Sequence, residues 1–344
     1  MTFQPVADFH WWRRLAALCV ALALQGVAGA QGPSAPGALA DGAAAAAEAE
    51  SAEVAALDLD WEDAARKRPV PVRLYLPAGA SAARPVPLVV FSHGLGGSRR
   101  GYSYLGRYWA AQGYASLHLQ HVGSDRSVWN GNVFSVVGRL QGAAQDEEAI
   151  ARVRDFRFAL DQLLAHPELG AKVDANRIVA AGHSYGANTT LLAVGARVER
   201  NGRVIDLADP RPKAAILLSV PPFYGESDPA KILAGIKVPT LHVTTTEDVI
   251  RVPGYYSGAE DRIAMFEATP GRAKFLAVFE GGSHSIFTDR VGTGGVTFNP
   301  QVKAATRELG LAFMKSVFER EDAGLAAWPK RFAALLARFT AGER

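Results

Sequence analysis

Two kinds of hydrophobic pattern alternate along most of this chain. Short, unbroken apolar runs occur at Pro87–Ser92, Tyr114–Leu119, Arg177–Ala181, Ala214–Ser219, Thr240–Thr244 and Phe275–Phe279. A strand with no polar alternation is one buried on both faces, as in a parallel sheet covered by helices. Between the runs, apolar residues fall at helical spacing. The clearest case is Asp146–Leu164, where Ile150, Val153, Phe156, Leu160, Leu163 and Leu164 trace one stripe. Helices are also predicted over 102–112, 187–196, 229–236 and 302–318. A last short helix is predicted over Pro329–Phe339, with the proline suited to its first turn. Ahead of all these, Leu57–Trp61 and Val70–Leu76 alternate apolar with polar residues and predict an antiparallel pair. The succession of strand and helix predicts an α/β fold: a mostly parallel, doubly wound sheet with helices on both faces.

Two stretches break the pattern. His121–Gln141 scatters Trp129, Phe134 and Val136 among Gly, Ser and Asn with no clear period. It reads either as an apolar wall or lid beside a binding site or as a surface loop packed on the sheet. Val198–Pro212 is polar, with Arg and Asp, and its role is open.

The first thirty residues stand outside the fold. Arg13 and Arg14 precede an apolar run, Leu15–Leu24, and then Ala28-Gly29-Ala30. This is the three-part pattern of a secretory signal peptide (1–30) with cleavage after Ala30, and the run is short for a membrane span. The alternative is an uncleaved anchor. Cys19, the only cysteine, lies inside the apolar run rather than after it, which argues against lipidation and leaves the mature chain without a disulfide. Residues 31–53, rich in Ala, Gly, Pro and Ser, read as a flexible spacer, and 54–344 as one folded domain. Export implies a periplasmic or secreted protein.

Composition narrows the function class. The 344 residues are 49% hydrophobic and 21% charged, which fits a globular protein rather than a disordered or membrane-embedded one. Net charge is only +3 and the basic residues are dispersed, so no nucleic-acid partner is implied. There is no H-E-x-x-H, cysteine cluster or G-x-x-x-x-G-K-[ST], so neither metal nor cofactor is expected.

The chemistry centres on Gly182-His183-Ser184-Tyr185-Gly186, between an apolar run and a helical pattern. G-x-S-x-G at a strand-to-helix junction is a nucleophile elbow: a tight, strained turn lifts the serine hydroxyl above the sheet. A serine needs a base, and in this arrangement the histidine comes last in the chain. Two histidines follow Ser184. His242 sits mid-strand and reads as a core residue. His284, in Gly281-Gly282-Ser283-His284-Ser285 just past a strand, is the expected base. Asp248, after Thr240–Thr244, is the expected acid, with Glu247 and Asp228 as alternatives. The oxyanion hole needs two backbone N–H donors. Tyr185 is the first expected donor. The second comes from His93-Gly94-Leu95-Gly96-Gly97, with Leu95 favoured and Gly96 next. His93 and His183 read as structural. Trp129, Phe134 and, in Pro253-Gly254-Tyr255-Tyr256, Tyr255 are candidate substrate contacts.

Val90-Phe91-Ser92-His93-Gly94-Leu95-Gly96, Tyr102-Ser103-Tyr104-Leu105, Gly113-Tyr114 and the elbow pentapeptide together resemble the platelet-activating-factor acetylhydrolase and dienelactone-hydrolase-like branch of the α/β hydrolases. The resemblance spans roughly 54–320. It implies an α/β-hydrolase fold and an oxyanion hole from the residue after His-Gly and the residue after the serine, which are Leu95 and Tyr185. It also implies an acid and a late histidine, fitting Asp248 and His284. The dienelactone hydrolases carry a cysteine nucleophile where this chain has serine, so ester hydrolysis is implied but lactone specificity is not. The expectation is therefore an exported serine hydrolase acting on small hydrophobic carboxylic esters through a Ser-His-Asp triad and an acyl-enzyme. A peptidase or acyltransferase on the same triad, or a binding protein that kept the fold, are the rival readings.

Overall fold

The computed structural model describes residues 54–252, 255–293, 295 and 297–343. The predicted signal peptide (1–30) and spacer (31–53) lie outside the described residues. In chain order the elements are β1 (Val54–Asp63), β2 (Arg68–Pro77), β3 (Val86–Ser92), α1 (Ser103–Ala111), β4 (Ala115–Leu119), α2 (Val133–Ala143), α3 (Asp146–Ala165), β5 (Val173–His183) and α4 (Tyr185–Val194). There follow β6 (Arg197–Arg200), β7 (Arg203–Asp206), β8 (Pro212–Leu218), α5 (Pro229–Leu233), β9 (Thr240–Glu247), β10 (Ile250–Val252), β11 (Tyr255–Ser257) and α6 (Ala259–Ala268). The chain ends with β12 (Lys274–Ser283), α7 (Phe298–Glu319), α8 (Ala323–Arg331) and β13 (Leu336–Thr340).

Nine strands form one sheet in the order β1-β2-β4-β3-β5-β8-β9-β12-β13. β1 and β2 pair antiparallel with Leu57 opposite Leu74, β2 runs antiparallel to β4, and the pairs from β4 through β12 are parallel. The apolar runs are unbroken because alternate side chains feed two different cores. In β3, Leu88 and Val90 join Ile178 and Ala180 of β5 beneath Val153, Phe156 and Leu160 of α3. Val89 and Phe91 point the other way, toward Leu105 and Trp109 of α1 and Val302, Leu309 and Phe313 of α7. This is the α/β-hydrolase fold. Among the described residues no helix is long and apolar enough to cross a membrane.

The C-terminus departs from the sequence reading. No helix spans Pro329–Phe339. The helix there is α8, which starts at Ala323 and carries Pro329 near its end, and Leu336–Thr340 is an antiparallel edge strand on β12. Burial explains the shift. Leu325 and Trp328 insert into the core, and the Trp328 indole donates to the Ala305 carbonyl at 3.0 Å. That anchor places the helix upstream and leaves the last residues free to pair with β12. The aperiodic stretch 121–141 contains a short 3-10 turn at Arg126–Trp129 and then α2, and 198–212 contains most of the β6–β7 hairpin. Neither was predicted.

Candidate active site

β5 delivers Ser184 into the turn before α4. Its backbone stands at φ 54°, ψ −121°, a conformation costing a non-glycine residue roughly 1–3 kcal/mol. The turn is held by the Ser184 N–H donating to the Leu218 carbonyl at 2.9 Å, and by the Ala187 N–H donating to the Ser184 carbonyl at 2.8 Å. The bracketing glycines are required by close approach. A Cβ on Gly182 would lie 2.2 Å from the Gly186 carbonyl oxygen, and one on Gly186 would lie 1.9 Å from that of Ser92. The elbow is thus wedged between β3 and its own helix.

The loop after β12 brings His284 to the serine. Its Nε2 lies 2.7 Å from Ser184 Oγ, and its Nδ1 lies 2.7 Å from Asp248 Oδ1. Asp248 follows β9 and is fully buried. Its second oxygen accepts from Thr244 Oγ1 at 2.7 Å, and the buried Arg262 stands 3.5 Å from the first. Burial alone would push this carboxyl up. The hydrogen bond from His284, with the charges of His284 and Arg262, outweighs burial and holds the group well below the usual carboxylate range. Asp248 is therefore ionised, as a group orienting an imidazole must be. The alternatives lie elsewhere: Glu247 is exposed, and Asp228 caps α5 by accepting from the Lys231 N–H at 3.0 Å.

Beside Ser184 Oγ lies the loop after β3. The Gly94 N–H donates to Tyr102 Oη at 3.3 Å, the Gly96 N–H to the Ser124 carbonyl at 2.8 Å, and the Gly97 N–H to the Gly94 carbonyl at 3.0 Å. Leu95 is left as the loop residue whose N–H has no acceptor among the described residues. Tyr185, first in α4, likewise has none. Gly96 is thereby excluded as a donor to a ligand. Of two predicted donors on separate elements, each therefore has its N–H free.

Residues 79–156 match the family model of platelet-activating factor acetylhydrolase, isoform II. The match is to one segment of a chain that has the α/β-hydrolase fold. The matched segment runs from β3 through the Leu95 loop to the middle of α3, and so covers one side of the site but not Ser184, Asp248 or His284. No match to a curated protein was found.

Two further residues join the parts of the site, and the sequence reading gave neither a role of this kind. Tyr102 takes the left-handed backbone conformation, φ 58°, just before α1. Its hydroxyl accepts from Gly94 and lies 2.8 Å from His183 Nδ1, while His183 Nε2 lies 2.9 Å from the His284 carbonyl. One proton arrangement satisfies every contact: Tyr102 donates to Nδ1, and Nε2–H donates to the carbonyl. Burial, followed by the charge of His284, lowers His183 to about 3 and keeps it neutral for that role. A buried chain thus runs from the Leu95 loop through the elbow to the His284 loop. His93 is held within its own loop, with Nδ1 2.7 Å from the Gly94 carbonyl and Nε2 accepting from the His121 N–H at 3.1 Å. His242 is buried in β9, 3.4 Å from Thr269 Oγ1.

The candidate substrate contacts differ from one another. The Trp129 indole lies against Gly96, where a Cβ would fall 2.1 Å from its Nε1, so it flanks the loop that bears Leu95. It is 51% exposed, and Leu95 is 42% exposed. Phe134, on α2, is 80% exposed. The side chain of Tyr255 lies outside the described residues.

Proposed function

We propose that this chain is an exported serine hydrolase that cleaves small, hydrophobic carboxylic esters of short to medium acyl chain, with Ser184 as nucleophile, His284 as base and Asp248 as its orienting acid. The unbroken relay of 2.7 Å and 2.7 Å from Ser184 Oγ through His284 to Asp248, on a strained elbow above a parallel sheet, carries this reading. Export rests on the sequence pattern of residues 1–30.

Each step uses a group already in place. His284 Nε2 takes the Ser184 proton as Oγ attacks the ester carbonyl carbon. Asp248 stabilises the resulting imidazolium through Nδ1–H. The carbonyl oxygen becomes an oxyanion and accepts from the N–H groups of Leu95 and Tyr185, the latter at the positive end of α4. On collapse the C–O bond to the alcohol breaks, and the alcohol leaves with the proton from His284. Water then attacks the acyl-enzyme, giving its proton to His284, and the acid departs as that proton returns to Ser184. Leu95 and Trp129 offer apolar surface beside the serine, which favours a hydrophobic substrate.

The test is turnover of p-nitrophenyl acetate, butyrate and octanoate by the chain from Gln31 onward, beside Ser184→Ala and His284→Ala. Turnover by the wild type with losses of roughly 10⁴- to 10⁶-fold in both variants is expected. Variants as active as the wild type would remove the assignment.

A further inference from the structure

A buried arginine lies behind this site and touches neither Ser184 nor His284. Arg152 lies in the first half of α3 and is fully buried. The acids nearest to it on that helix are engaged by other arginines: Asp155 with Arg66 and Arg68, both at 2.9 Å, and Glu148 with Arg68 at 3.1 Å. Among the described residues Arg152 pairs with no carboxylate directly. A buried cation without its own counter-ion is costly, so the groups it does bind are informative.

Each nitrogen of the guanidinium binds a group that leads to an oxyanion donor. Nη2–H donates to the His93 carbonyl, in the loop that presents the Leu95 N–H. Nη1–H donates to Ser124 Oγ at 2.8 Å, and the Ser124 carbonyl in turn accepts the Gly96 N–H at 2.8 Å, on the other side of Leu95. Nε–H donates to Thr189 Oγ1 at 2.8 Å, and that hydroxyl donates to the Tyr185 carbonyl at 3.0 Å. The face of the guanidinium also stacks on the Tyr185 ring, 4.4 Å from its centroid. Two short segments that are 90 residues apart are therefore set against each other by one planar, three-armed donor, a geometry that lysine does not reproduce.

We propose that Arg152 is the positioning residue of the oxyanion hole. It fixes the Leu95 and Tyr185 peptides relative to each other and places a positive charge behind both, ahead of the developing negative charge. The inference rests on the reading of the chain as a serine esterase. Donors fixed in advance need no reorganisation when the oxyanion forms, and displacement of about 1 Å costs on the order of 10²-fold in rate.

The test measures kcat, KM and Tm with p-nitrophenyl butyrate for the wild type, Ser184→Ala, Arg152→Gln, Thr189→Val and Thr189→Ser. Arg152→Gln should lower kcat about 100-fold with KM within about threefold, since substrate binding is not what it supports. Thr189→Val, which keeps the shape of the side chain and the arginine but cuts the link to Tyr185, should lower kcat about tenfold, and Thr189→Ser should recover most of that loss. If Arg152→Gln does not fold, the Thr189 pair decides. Wild-type kcat in Thr189→Val, or a loss in either variant matched by its unfolded fraction, would overturn the proposal while leaving the esterase reading intact. An inactive wild type would overturn the esterase reading and this proposal together.

Discussion

At the residue scale, Ser184, His284 and Asp248 could be named from sequence because each sits in a local context that reveals its backbone: a glycine-bracketed turn, a glycine-rich loop after a strand, a carboxylate just past another strand. These are also the side chains that meet in space, at 2.7 Å and 2.7 Å. Tyr102 and Arg152 left no such signal. Their partners His183 and His93 lie 81 and 59 residues away, and a helical arginine in an amphipathic stretch reads as solvated. The Tyr102 hydroxyl is the middle of the chain from Gly94 to His183. Tyr102→Phe should leave a buried N–H and a buried imidazole nitrogen unpaired, at about 1–3 kcal/mol. A domain of this size loses roughly 2–4 °C per kcal/mol, so calorimetry should record a Tm lower by about 3–10 °C, with kcat reduced and KM little changed. An unchanged Tm and kcat would show that the chain positions nothing.

At the element scale, the strands of the parallel sheet and the helices that cover it were legible because burial on both faces forces continuous apolar runs, and burial on one side forces a stripe. What was not legible followed different physics. α2 carries only a short stripe, Val133, Val136, Val137 and Leu140, broken by Gly138 and Gly142, and it presents Val133 and Phe134 outward. The β6–β7 hairpin is mostly charged and mostly exposed, and of its strand residues Val198 is buried in the core. At the C-terminus local propensity favoured starting a helix at Pro329, and the core's demand for Trp328 prevailed. The outward apolar side chains bear on specificity. If Trp129, on the turn leading to α2, lines the path of the acyl chain, Trp129→Ala should raise KM for the octanoate ester about tenfold, equivalent to burying roughly one aromatic face, and leave acetate almost unchanged. Equal effects on both esters would place the indole outside the acyl path.

At the scale of the whole molecule, the fold encloses polar groups as well as apolar ones. His93, His118, His121, His183 and His242 are all fully buried, and burial lowers each below the ordinary histidine range: His118 to about 4, His183 and His242 to about 3, His93 and His121 well down. The folded chain therefore stays unprotonated at these positions where the unfolded chain binds protons, from about pH 6.5 downward. Unfolding takes up protons in that window, so stability must fall as pH falls, by up to about 1.4 kcal/mol per histidine per pH unit. Thermal scans should show Tm steady above pH 7 and dropping steeply between about pH 6 and 4. A flat profile across that range would mean that these histidines are protonated in the folded state.

The proposed chemistry rests on a single hydroxyl. Phenylmethanesulfonyl fluoride sulfonylates a serine oxygen only where a base and an oxyanion hole activate it, so the labelled peptide reports the site without assuming any substrate. Intact-mass and peptide-mass measurement should find one adduct per chain, located on Ser184, and a rate of labelling that collapses in His284→Ala. Labelling elsewhere, or no labelling of the folded chain, would contradict the assignment of Ser184 as an activated nucleophile.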